Sequence, residues 1–240
     1  MLMPTSKFLS TNILIKDFID PTTGRVNYYK LKNDRWLPER VSEFESMDIY
    51  DFTYHEKFAF WLNAYNIFTL QGALIELSKN PKWKGNLSTW SKIKFFVLRK
   101  FTIAHKKMNL RFLENEILRK EFKDPRIHFA LNCASASCPY LPDQLFNAET
   151  LNNYLDTLTI NFINNPLNLS YNHDTKILKL NLIFKWYSND FGGDEGLLKF
   201  LHKYNNDIPL DIQTTKLEYF KYDWSINSQS KPKIELTLRI

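Results

Sequence analysis

A cysteine is a useful nucleophile only as its thiolate, and a nearby imidazole can both take the thiol proton and stabilise the charge left behind. Residues 124–142, DPRIHFALNCASASCPYLP, concentrate these groups: both cysteines of the 240-residue chain, Cys133 and Cys138, and one of its five histidines, His128. The apolar run 127–131 is short and lies between Pro125 and a Ser/Ala break, a pattern that predicts a buried strand emptying into a loop. On a straight strand His128 and Cys133, five residues apart, would point to opposite faces. They converge only if the backbone bends between Leu131 and Cys133. Asn132, followed by Ala134-Ser135-Ala136-Ser137, is suitable material for that bend.

Cys138 is a second candidate, stiffened toward extended backbone by Pro139. Small neighbours leave room for a substrate, and Ser135 and Ser137 are either hydrogen-bond donors or loop filling. The residue types alone leave four readings open. One is thiol chemistry; another packs the thiols as small apolar groups. A third is a metal site using Cys133, Cys138 and a histidine, although no second Cys/His pair accompanies the C-x4-C spacing. A local disulfide is the fourth. No glycine-rich phosphate loop, zincin helix or G-x-S-x-G elbow is present, so nucleotide-dependent and serine-hydrolase readings lack support, and the thiol reading calls for no cofactor and no metal.

The elements that must position this stretch are uneven in clarity. Thr53 with Glu56 three residues later forms a capping-box pattern that opens FAFWLNAYNIFTLQGALIEL, a helix running to Asn80-Pro81. Being apolar nearly all round, it should be buried at the centre of the domain. Asn63 and Asn66 lie on neighbouring positions of one face and need partners. Either they bond the backbone of adjacent loops or one of them orients a catalytic group. Residues 8–18 and a second stretch near 36–44 read as amphipathic helices. Residues 95–98 and 101–104 suggest a hairpin around Arg99-Lys100. Asn109 caps a helix through Lys120, and Asn147 caps one over 151–163. A strand is predicted over 177–184, a helix near 197–204, and extended segments over 217–224 and 234–238. Helices dominate the first half and strands the second. The fold class is therefore α+β, a single domain over residues 1–240 with a buried central helix and a mostly antiparallel sheet.

With 44% hydrophobic and 24% charged residues the composition is that of a globular protein. The net charge of +6 comes from dispersed lysines, a solvated surface rather than a nucleic-acid footprint. No apolar run approaches the ~18 residues of a membrane span, and the first residues lack a secretory segment, so a cytoplasmic location is expected.

Six blocks in order, GRVNYYKLK (24–32), KFAFWLNAYNIFTL (57–70), LENEILR (113–119), DPRIHFALNCASASCP (124–139), IFKWYSNDF (183–191) and YDWSIN (222–227), resemble the family called domain of unknown function 547. The resemblance implies one α+β domain with the FW-x-N-x-YN helix and the HFAL-x-C block as its signatures. Relatives that replace the second cysteine imply that Cys133, paired with His128, outranks Cys138. The LENEILR block reads I-E-H in relatives, so Glu114 matches while Asn115 stands where they have histidine. Many bacterial relatives carry export signals, which this chain is expected to lack. The expected activity is a thiol-dependent hydrolase or acyl/peptidyl transferase on an unidentified small-molecule or peptide substrate. Cys133 is its nucleophile, His128 its base, and Glu114 or Asn63 holds the imidazole. Asn66, Ser137, Cys138, Trp186 and Asp190 are the candidate substrate-binding residues. The alternative is a non-enzymatic binding or scaffold module.

Overall fold

Thr53 caps a long helix, α3 (Tyr54–Lys79), as its sequence demands: its hydroxyl accepts from the Glu56 N–H and the Glu56 carboxylate accepts from the Thr53 N–H at 2.7 Å. Every residue from Phe58 to Leu70 is buried, so α3 runs through the main apolar core. Thr53→Ala removes an N-cap and is expected to lower the unfolding free energy by about 1 kcal/mol, measured by urea denaturation. No loss would show that the box is replaced by water.

The structure is a computed structural model, and it describes residues 15–229. Helix α2 (Trp36–Ser46) packs on α3 and α1 (Tyr28–Lys32) on α2; the short α4 (Thr89–Ile93) follows α3 and widens into a π-helical turn over Lys94–Leu98. A small hairpin follows, β1 (Phe101–Ile103) with β2 (Lys106–Met108). Helix α5 (Leu110–Phe112), capped by Asn109, also widens into a π-helix over Leu113–Phe122. Then come α6 (Ile127–Ala130), α7 (Leu151–Ile163), β3 (Leu169–Asn172), β4 (Ile177–Leu180), α8 (Ile183–Trp186), α9 (Gly193–Tyr204) and β5 (Lys216–Tyr219). Strand β4 pairs antiparallel with β3 and parallel with β5. The result is one α+β domain. Its main apolar cluster surrounds α3, and a second joins Phe129 to the β-sheet, α8 and α9.

Several expectations need correction. The run 127–131 is not a strand: Ile127–Ala130 form one helical turn, and the extended backbone begins only at Leu131. Five apolar residues carry no periodicity that separates strand from helix. Asp124 favours the helical start, because its carboxylate accepts the Arg126 N–H and its carbonyl accepts the Ile127 N–H. The hairpin turns at Ala104-His105, both at positive φ, and not at Arg99-Lys100. Its two N–H groups donate to the carbonyls of Phe44 and Glu45 at the end of α2, which holds the left-handed turn in place. Arg99 instead pairs with Glu76 on α3. The strand expected over 177–184 stops at Leu180, where the Asn181 side chain accepts the Ile183 N–H and turns the chain into α8. Helix α9 starts at Gly193, earlier than expected, and Asn147 serves α7 by accepting from Thr150 rather than by standing at its cap. Within 217–224 only the first residues form a strand, β5. The extended segment read over 234–238, and most of the helix read over 8–18, lie outside the described residues; 15–18 form a 3-10 turn.

Candidate functional site

The corner that sequence reasoning placed past Leu131 is built by one buried amide. Asn132 Oδ1 accepts from the Ala134 N–H at 2.9 Å and from Asn227 Nδ2 at 3.2 Å, while its Nδ2 donates to the Pro139 carbonyl at 2.7 Å. Ala134 sits at φ +60°, and this left-handed residue completes the bend. The backbone entering the corner is held by Asn66 on α3, which donates to the Ala130 carbonyl and accepts from the Asn132 N–H, both at 2.9 Å. Asn63 does the same for another loop, bonding the Phe146 carbonyl and N–H. Both amides of the central helix are therefore backbone clamps, and Asn63 reaches neither the imidazole nor a thiol.

Beyond the corner a cavity of about 340 Å³ opens, lined by Cys133, Cys138, His128, Tyr65, Glu114, Asn115 and Leu131, together with Lys92, Arg111, Trp186, Tyr187, Tyr222 and Trp224 among others. Both cysteines are free thiols. Cys133 Sγ lies 2.8 Å from Ser135 Oγ and 3.3 Å from the Tyr222 hydroxyl, and these two hydroxyls are 3.1 Å apart. Burial raises the Cys133 thiol, but hydrogen bonds from Cys138, Ser135 and Tyr222 outweigh it and bring the thiol below its ordinary range. Cys138 moves the other way. Burial raises it and the Cys133 sulfur raises it further, which outweighs the lowering by the Cys133 N–H that its sulfur accepts at 2.9 Å. Of the two thiols, Cys133 is thus the one disposed to ionise.

His128 is buried, its ring stacked on Tyr187 with centroids 3.9 Å apart. Its partner is Asp190, not Glu114 or Asn63: Nε2 lies 2.7 Å from Oδ2. Arg119 grips the same carboxylate with two bonds of 2.6 and 2.8 Å. Burial opposes ionisation of Asp190, yet His128 and Arg119 together hold its carboxyl well below the usual carboxylate range. An ionised carboxylate only accepts, so the Nε2–H is the donor and Nδ1 is the basic atom of the ring. Glu114 has a different task. Its oxygens accept from the hydroxyls of Tyr187 at 2.5 Å and Tyr65 at 3.1 Å. Glu114 and Arg119, five apart, sit in the π-helical segment, whose i→i+5 geometry brings such a pair to one side. Asn115 lines the cavity, but its amide is occupied by the Arg111 carbonyl and the Arg119 guanidinium.

A family model described as protein of unknown function, DUF547, matches residues 49–163. These residues belong to the DUF547 family. No curated protein and no solved structure matches the chain. The DUF547 region supplies α3, the π-helical segment and the corner, hence Asn63, Asn66, Glu114, His128, Cys133, Ser137 and Cys138. Trp186, Tyr187, Asp190 and Tyr222, which complete the surroundings of the thiol and imidazole, come from beyond it.

Of the residues singled out in the sequence, the cavity gathers Cys133, His128, Glu114, Cys138 and Trp186; Asp190 stands behind His128. Ser137 lies outside the lining and acts on the chain that frames it. Its hydroxyl accepts the Asp223 N–H at 2.8 Å and its N–H donates to the Asp223 carbonyl, fixing the segment that carries Tyr222 and Trp224. That segment also crosses Gly85 (φ +108°), where a Cβ would stand 2.4 Å from the Trp224 carbonyl. Tyr65, Tyr187, Tyr222, Lys92 and Arg111 were not anticipated at the site. Their only sequence signal is membership of aromatic or basic runs. Among the described residues no group of three or more His, Cys, Asp or Glu is arranged to hold a metal ion, and no helix is long and apolar enough to cross a membrane.

Proposed function

We propose that the cavity is the active site of a thiol-dependent hydrolase or acyl transferase. One observation carries the reading: a thiol disposed to ionise and an imidazole oriented by a carboxylate open on the same cavity. In the reaction, Cys133 Sγ attacks the acyl carbonyl while its proton passes to His128 Nδ1. Collapse of the tetrahedral adduct breaks the acyl bond, His128 returns the proton to the departing amine or alcohol, and a thioester remains on Cys133. Water or a second amine then attacks the thioester, and the proton that it loses restores the thiol. Asp190 keeps Nε2 protonated throughout, which is the orienting role of the carboxylate in catalytic triads.

Among the described residues no hydrogen bond joins the imidazole to Sγ. Such contacts commonly tighten only in the complex with substrate. The Tyr222 hydroxyl, already 3.3 Å from Sγ, is placed to donate to an oxyanion formed next to the sulfur. A scaffold module would need no such hollow.

Iodoacetamide at neutral pH tests the reading. Peptide mapping is expected to find the carbamidomethyl group on Cys133, with Cys138 spared, and Cys133→Ser is expected to remove the labelling. Label appearing chiefly on Cys138, or undiminished in Cys133→Ser, would overturn the assignment.

A further inference from the structure

Part of the cavity wall is cationic and aromatic. The Lys92 ammonium sits 3.8 Å from the Trp224 ring centroid, and the rings of Trp186, Tyr222 and Trp224 lie within 4.7–5.6 Å of one another. Arg111 also lines the cavity and is exposed. Among the described residues, none of the ion pairs includes Lys92 or Arg111. Every other charge at the site already has a partner: Glu114 accepts from two tyrosines, and Asp190 is held by Arg119 and His128. The two unpaired cations are therefore the part of the lining that still lacks its complement. Lys92 shares this cavity with Cys133, and the two interact electrostatically.

Resting on the thiol-acyl reading above, we infer that the substrate carries a carboxylate, bound by Lys92 and Arg111, beside a flat or apolar group that lies on the Trp186–Tyr222–Trp224 shelf. A cavity of about 340 Å³ is at the small end for ligand sites, enough for a short peptide or an acylated amino acid with a free carboxylate rather than a long chain. The aromatic shelf supplies contact area for the body of the substrate. The two cations supply the choice of charge, since a cleft lined by one sign of charge concentrates ligands of the other.

The probes are iodoacetate and iodoacetamide, alkylating agents of nearly the same size that differ in one carboxylate. The ratio of their second-order rates at Cys133 cancels any change in thiolate content, so it reports only the pull of the cavity on the anion. Replacing both cations, Lys92→Gln with Arg111→Gln, is expected to lower the iodoacetate-to-iodoacetamide ratio about tenfold, with each single replacement intermediate. In the unaltered protein, rising NaCl is expected to lower the same ratio by screening, an arm that needs no variant to fold. If iodoacetamide still modifies Cys133 while the ratio is unmoved by both replacement and salt, the carboxylate inference fails and the nucleophile assignment stands. If neither reagent modifies Cys133, the thiol reading fails, and this inference with it.

Discussion

His128→Ala is expected to lower the rate of p-nitrophenolate release from a p-nitrophenyl ester by about 10²–10⁴-fold, the usual weight of a positioned general base. Asp190→Asn is expected to lower it by about 10-fold or more, although Asp190 touches no substrate. Asparagine nearly matches the shape of aspartate, but its amide presents N–H groups toward Arg119 or toward Nε2, which disfavours the tautomer with the lone pair on Nδ1. A purely structural role for Asp190 would show equally in stability and in rate, so the two are read together. The Asp190 carboxyl is depressed in the folded protein by its bonds from His128 and Arg119, which outweigh burial. Its contribution to stability is therefore fully present above the unfolded carboxyl value of about 4 and is lost as the pH falls below it. In urea titrations the stability gap between the unaltered protein and Asp190→Asn should shrink as the pH falls below about 4. A rate loss in Asp190→Asn no larger than that of a distant surface variant would show that the carboxylate does not orient the base.

How far the site was legible differs from element to element. Helix α3 was fully legible, because a capping box and an uninterrupted apolar run each point to the same structure, and burial of that run left Asn63 and Asn66 obliged to find partners. The structure gives them backbone partners, and Asn66 holds the very strand of backbone that enters the corner. The corner could be foreseen from Asn132 and the small residues after it. The geometry before it could not, because five apolar residues are compatible with either a strand or one helical turn, and the local bonds of Asp124 decide between them. Least legible were contacts made across long sequence separations. Nothing in the spacing says that Asp190, 62 residues further on, meets His128, or that Tyr222 meets Cys133 across 89. Tyr187 is a second case: its place in an aromatic block suggests core, whereas its hydroxyl serves Glu114 and its ring carries His128. The π-helical widening of 113–122 was hidden as well, since α and π spacings differ by less than a residue per turn over a segment this short.

Asn132→Ala is the stability prediction with the largest expected effect, about 3 kcal/mol or more, because the change strands three groups at once. The Ala134 N–H and Asn227 Nδ2 lose their acceptor, and the Pro139 carbonyl loses its donor. All three belong to the buried network that closes the corner, where an unpaired polar group costs far more than a satisfied one contributes. Asn227 is in turn the acceptor for the buried Tyr28 hydroxyl at 2.7 Å, so the disturbance reaches α1 as well. Asn132→Asp separates hydrogen bonding from volume: it keeps an acceptor for Ala134 and Asn227 but turns a carboxylate oxygen on the Pro139 carbonyl, and it should be at least as destabilising as alanine near neutral pH. Urea denaturation with an unchanged m-value is the measurement, and a loss under about 1 kcal/mol for both variants would show that the corner is held by packing instead. The same variants connect fold to chemistry. With the left-handed Ala134 released, Cys133 is no longer fixed against Ser135 and Tyr222, the donors that favour its thiolate, so its alkylation at neutral pH should slow even where most of the protein remains folded.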